Sequence, residues 1–132
     1  MSYKTNIILE TANNSNFRKV LFTGEKSQLV VMSIPPHSEV GSEKHDHVEQ
    51  TLFFLSGTCE CVLDHESHIV SAGDVVVVTP GTQHNFINVG EEDVKIYTVY
   101  APKNHIDGRV HATIADADAD EEDEAVGHSY TS

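Results

Sequence analysis

The sequence predicts an all-β domain, an antiparallel sandwich or barrel. Eight short β-rich runs follow one another near residues 17–23, 28–34, 50–55, 58–63, 67–70, 74–79, 84–89 and 94–101. Turn residues separate them: Thr23-Gly24, Pro35-Pro36, Ser56-Gly57, Asp64-His65-Glu66, Ala72-Gly73-Asp74, Pro80-Gly81 and Gly90. No stretch in this region keeps a 3.6-residue apolar period long enough to define a helix.

The runs differ in character. In the run opened by Gln50, alternation puts Leu52 and Phe54 inside and Thr51, Phe53 and Leu55 outside if Gln50 faces inward. Cys59, Cys61 and Leu63 share one strand face. A disulfide between such near neighbours would be strained, so the cysteines are read as small buried fillers. Asp64–Ser67 is a hairpin turn, and Val75–Val78 does not alternate, so both of its faces are expected to be buried. Tyr97 and Tyr100, on the last long run, are read first as packing residues.

Residues 1–16 are polar and Asn-rich and read as a loose lead-in; residues 17–114 form the barrel with a C-terminal extension. In residues 115–132 like charges crowd together. A short helix can start there, but the end of this tail is expected to be disordered.

The chain has 132 residues, one domain's worth, and needs no staples to hold a core. Acids outnumber bases 21 to 8, for a formal net charge of −13, and seven of the acids lie between Asp116 and Glu124. With no basic cluster, nucleic acid and anionic membranes are excluded as expected partners. No apolar run has the length of a membrane span and no signal-like segment opens the chain, so the expected address is the cytoplasm.

Nine histidines are the compositional oddity. His45 and His47 lie two apart, on one side of an extended segment; Gln50 opens one apolar run and His84 opens another. Three imidazoles and an oxygen donor converging inside a barrel suit one divalent transition metal such as Fe, Mn, Ni, Co or Zn. Each imidazole must be neutral to bind, so metal affinity should fall on acidification. His37, His65, His68, His105, His111 and His128 are read as surface or satisfied core residues.

At these residues the chain resembles the cupins. Their first motif runs from a glycine through His-x-His to an acid three or four residues on, then six residues to a second glycine. Here Gly41, His45-Asp46-His47, Gln50 and Gly57 stand in that order. The second motif is represented by Gly73, Thr79-Pro80-Gly81, His84 and Asn88, with Thr79 where the motif has proline and Pro80 next to it, and fifteen residues separate Gly57 from Gly73. The likeness covers roughly residues 17–110. Phe17–Leu21, Ser27–Met32 and Asp107-Gly108 are similar to a subgroup labelled mannose-6-phosphate-isomerase-like.

There are departures. Three residues, not five, separate Gly41 from His45, and the gap from His47 to Gln50 is one shorter than usual. An amide stands where the motif has a carboxylate. Glu49 competes with Gln50 for that place; a strand offers only one of them to the interior, and the six residues to Gly57 favour Gln50.

The resemblance implies a jelly-roll barrel with metal ligands His45, His47, Gln50 and His84. It implies a metalloenzyme acting on a small polar substrate of the sugar or keto/hydroxy-acid type, by isomerase, lyase or dioxygenase chemistry. Glu49, Tyr97 and Tyr100 are the weak candidates for proton transfer. The alternative is a non-catalytic module that binds or senses a small ligand. An outward apolar stripe at Phe53 and Leu55 makes a homodimer the expected assembly.

Overall fold

A computed structural model describes residues 1–128; the last four residues of the acidic tail and the His128 side chain lie outside it. The predicted runs are strands, and two further short strands join them. In chain order they are β1 (Arg18–Thr23), β2 (Gln28–Ile34), β3 (Glu43–Lys44), β4 (Glu49–Ser56), β5 (Thr58–Leu63), β6 (Glu66–Ser71), β7 (Val75–Val78), β8 (Gln83–Asn88), β9 (Val94–Ala101) and β10 (Val110–His111). Three helices flank them: α1 (Ile7–Asn13), α2 (Ile114–Ala119) and α3 (Glu121–His128).

The strands form two antiparallel sheets, of order β10-β1-β2-β9-β4-β7 and β3-β8-β5-β6. Alternation decides what lies between them. From β4 come Gln50, Leu52 and Phe54, from β9 Val94, Ile96, Thr98 and Tyr100, and from β8 His84, Phe86 and Asn88. Leu52, Phe54 and Ile96 belong to the apolar core, together with Cys59 and Cys61, both fully buried and unpaired. Burial pushes the Cys59 thiol up to about 12 and Cys61 to about 11, so both stay protonated as fillers. Gln50, Thr98, Tyr100, His84 and Asn88 are polar members of this interior.

Three expectations need correction. Val75–Val78 is not buried on both faces: Val75 and Val77 are 54% and 49% exposed, because β7 is the edge of the six-stranded sheet and only Val76 and Val78 face inward. The lead-in contains α1, too short to read from periodicity. Asn6 caps it by accepting from the Leu9 amide at 3.0 Å, and it packs over β2, β4 and β9. Lys95 Nζ donates to the Asn14 carbonyl just beyond it.

The third correction concerns the acidic tail. A helix does start there and helical structure continues to His128, because hydrogen-bond donors next to the barrel, the Arg109 cation among them, offset the repulsion that the sequence pattern implies; the expectation for residues 129–132 lies outside the described residues. Asp123 accepts from His105 Nδ1 and from the Ile106 amide, each at 2.7 Å. Asp120 receives Arg109 at 2.7 Å and His111 at 2.9 Å, and Glu122 receives the other arm of Arg109 at 2.7 Å. Thr113 caps α2 through the Asp116 amide. Among the described residues no helix is long and apolar enough to cross a membrane.

Gly57 joins β4 to β5 at φ +88°, and a Cβ there would stand 2.8 Å from the Asp93 carbonyl oxygen and 2.9 Å from Val94 Cα. Gly57→Ala is expected to cost about 2–4 kcal/mol, combining left-handed strain with a backbone clash. Gly41→Ala, at φ +102° with nothing within 4 Å, should cost only about 1 kcal/mol. Urea midpoints would order the two, and equal midpoints would refute the clash.

His105 gives a second expectation. Burial, followed by Arg18, pulls its pKa down to about 4 despite the Asp123 partner. The neutral form also fits the geometry, since Nδ1 donates to Asp123 while Nε2 is buried with no acceptor for a second proton. The unfolded chain protonates this ring near pH 6.5 and the folded chain near pH 4. Its contribution is therefore complete above pH 6.5 and lost as pH falls through that window, by roughly 2–3 kcal/mol. Denaturant melts at pH 7.5 and 4.5 measure the loss, and His105→Asn should flatten it.

Candidate metal centre

Two residues of β3 organise the site. Glu43 pairs in register with His84 of β8, and Lys44 with Gln83. Strand alternation sends Glu43 and His45 to the same side, where Glu43 Oε2 lies 3.1 Å from His45 Nε2. The His45 and His84 rings are 5.3 Å apart between centroids. One ligand atom from each of Glu43, His45 and His84 lies within 4.8 Å of the others. Metal bonds of about 2.1 Å place ligand atoms roughly 3–4 Å apart, so small side-chain adjustments would close this set on one ion.

Hydrogen bonds fix the donor atoms. His84 Nδ1 lies 2.9 Å from the Thr82 carbonyl, which can only accept, so Nδ1 carries the proton and Nε2 is the free lone pair. The Gly81 amide donates to the His45 carbonyl at 2.8 Å and ties the His45 segment to the turn before β8. Gln50 is buried in the same wall. Its Nε2 donates to Thr98 Oγ1 at 3.2 Å, which leaves the amide oxygen as its metal-competent atom.

Electrostatics agree with the donor chemistry. Burial by itself would raise the Glu43 carboxyl, but the His45 hydrogen bond and the nearby charges of Arg18, His45 and His84 outweigh it and hold the group at about 2. Burial lowers the His84 pKa, more than the Thr82 carbonyl and Glu43 raise it. A carboxylate, two imidazoles and an amide oxygen suit a borderline divalent cation.

Above this cluster a cavity of about 370 Å³ opens, lined by Arg18, Glu43 and His45 of the barrel and closed over by Ala117, Asp123 and Glu124 of the C-terminal helices. A small pocket of about 10 Å³, the neck, shares Arg18 and Glu43 with this cavity and is walled also by Gln50, His84, Phe86 and Tyr100.

The structure therefore brings together His45, His84 and Gln50 of the sequence-predicted set and adds Glu43. His47 is exposed and does not join the converging atoms. Glu49 is also exposed, since Gln50 takes the inward position beside it. Tyr97 lies on the outer face of β9, its ring stacked on Phe53 at 4.9 Å, so neither Glu49 nor Tyr97 reaches the cavity. Tyr100 does stand in the neck, with burial pushing its phenol up to about 12.

The motif's own spacing held the signal for Glu43. Counting His45 as the second ligand leaves four residues before Gln50, within the usual three or four, and puts Glu43 first. The motif's leading glycine then falls on His37, which adopts φ +62°, the left-handed conformation that favours glycine.

Residues 30–100 match the cupin domain family. The chain belongs to that family. This cupin is 37% identical over 126 residues to the uncharacterized protein YrkC of Bacillus subtilis, covering 91% of this chain and 68% of that one. Among solved structures it is similar to BH2720 of Bacillus halodurans, with TM-score 0.88 and 34% identity over 90% of this chain and 95% of that one. It also resembles a predicted oxalate decarboxylase of Thermotoga maritima, with TM-score 0.62 and 25% identity over 65% of this chain and 79% of that one.

Proposed function

We propose that this cupin holds one divalent transition cation on Glu43, His45, Gln50 and His84 and acts on a small polar substrate in the cavity above it. The observation that carries this reading is the convergence of the Glu43, His45 and His84 ligand atoms at the base of a cavity. A cation bound there supplies Lewis acidity toward a carbonyl, hydroxyl or carboxylate oxygen. The chain's own groups hold it: Thr82 orients the His84 ring, Thr98 orients the Gln50 amide, and Glu43 offers an ionised carboxylate. Cavity size supports a substrate of sugar or keto/hydroxy-acid dimensions, and isomerase, lyase and dioxygenase chemistry all use such a centre.

One observation favours a second reading, a module that binds or senses a small ligand without turning it over. Glu49 and Tyr97 stay outside the cavity, and the Tyr100 phenol is held protonated, so none of the three residues the sequence offered for proton transfer stands ready as a general base.

Metal content of tag-free protein tests the ligand set. Near-stoichiometric metal is expected in the wild type and in His47→Ala, with loss of most of it in Glu43→Ala and His84→Ala. Retention in Glu43→Ala with loss in His47→Ala would restore the first sequence register. Turnover of a sugar and keto-acid panel, with oxygen uptake, separates enzyme from binder; a binder would only raise its melting temperature.

The same outer sheet face supports a homodimer. Phe53 and Tyr97 stack there, and Phe53 pairs with the exposed Val75 at the sheet edge. Sedimentation should give twice the chain mass, and Val75→Asp with Val77→Asp should halve it; a monomeric wild type would end this proposal.

A further inference from the structure

Among the described residues, four buried side-chain polar atoms have no hydrogen-bond partner: Arg18 Nε, Asn104 Oδ1, His105 Nε2 and His111 Nδ1. Three of these four residues, Arg18, Asn104 and His105, line the cavity above the metal cluster. Arg18 comes from the start of the barrel and the neighbours Asn104 and His105 from beyond β9, and each is more than nine-tenths buried, with exposures of 6%, 4% and 6%. Leaving one such group unpaired costs about 1–3 kcal/mol, and a charged one costs more, so three on one wall mark a place for a polar ligand.

Their chemistry is specific. Arg18 packs beside the Phe17 ring at 5.0 Å, and no carboxylate among the described residues lies within ion-pair distance of it. Its charge acts on Glu43 and Asp123 from beyond ion-pair distance and on the Tyr100 phenol, but its buried Nε is left without an acceptor, and a planar oxyanion can take that position with the geometry a guanidinium favours. Asn104 Oδ1 can only accept a hydrogen bond. His105 Nε2 is also an acceptor, because the ring's proton sits on Nδ1 facing Asp123. One wall thus offers a cation for a carboxylate and two acceptors for hydroxyl hydrogens. Arg18 and Glu43 line both the cavity and the neck, so Arg18 stands beside a donor of the metal cluster.

We infer that the cavity selects a small hydroxycarboxylic acid, its carboxylate on Arg18 and its hydroxyls on Asn104 and His105. The inference rests on the metal reading above for the ligand's second attachment. The four acids of the cavity lining, Glu43, Asp118, Asp123 and Glu124, disfavour polyanions and keep the selection to a single carboxylate. A divalent cation at Glu43 more than offsets that carboxylate's charge, so the neck then favours an anion. Arg18 would be the specificity-determining residue, a role distinct from holding the metal.

The test uses the full chain loaded with Mn(II) and calorimetric titration of D-glycerate, glycerol and acetate. Glycerate should bind at least tenfold more tightly than glycerol, which lacks the carboxylate, and than acetate, which lacks the hydroxyls. Arg18→Met should weaken glycerate at least tenfold while elemental analysis gives unchanged manganese. Equal binding of glycerate and glycerol, or an unaltered affinity in Arg18→Met, would overturn the inference. If Arg18→Met does not fold, the three-probe comparison on the wild-type chain decides alone. A wild type that holds no manganese defeats the metal reading instead, and the preference for glycerate over glycerol is then read on the metal-free chain.

Discussion

The pairing of β3 with β8 is the constraint on which the site depends. Glu43 sits opposite His84 across an antiparallel ladder, and strand alternation carries His45 to the same side as Glu43. A two-residue strand is a small anchor, so the fold reinforces it. Gly81 holds the His45 backbone, Gln83 Nε2 reaches Ser42 Oγ at 2.6 Å, and Asn85 accepts from the Gly41 amide at 2.9 Å. These bonds bind the loop before β4 to the strand that carries His84. Without them, the carboxylate and the two imidazoles would belong to separate pieces of chain.

A second constraint comes from charge. The C-terminal acids read as a solubilising tail when counted in sequence, yet Asp120, Glu122 and Asp123 each meet a cation or an imidazole at the barrel. Exposed pairs such as Arg109 with Glu122 contribute little by themselves. The His105–Asp123 bond is different: it is buried, it fixes the ring's tautomer, and it places α3 over the mouth of the cavity. The helices that look least structured in composition therefore complete the wall of the pocket.

The barrel was legible because strand physics is local. Alternation at β4, β8 and β9 follows from side chains pointing to opposite faces, and the turn residues mark where each strand stops. The inward choice of Gln50 over Glu49 followed from motif spacing and agrees with the sheet. What misled was a His-x-His pattern read as the metal pair: the segment between β3 and β4 is not one extended strand, so His47 leaves the face that His45 occupies. Alternation holds only while the chain stays in the ladder. The same limit explains Val75–Val78, where sequence gave four valines but not the fact that their strand lies at a sheet edge.

Sequence alone determined the all-β class, the strand limits within a few residues, the inward faces of the long strands and the inward place of Gln50 and His84, because each depends on neighbours a few positions away. Tertiary structure decided that Glu43 completes the cluster, that Tyr97 and Glu49 stand outside it, and that Arg18, Asn104 and His105 share one cavity. Those facts depend on residues some 40 to 90 positions apart meeting across two sheets, and the physical terms that bring them together are ladder register, burial and charge pairing across the barrel. A local pattern carries none of them.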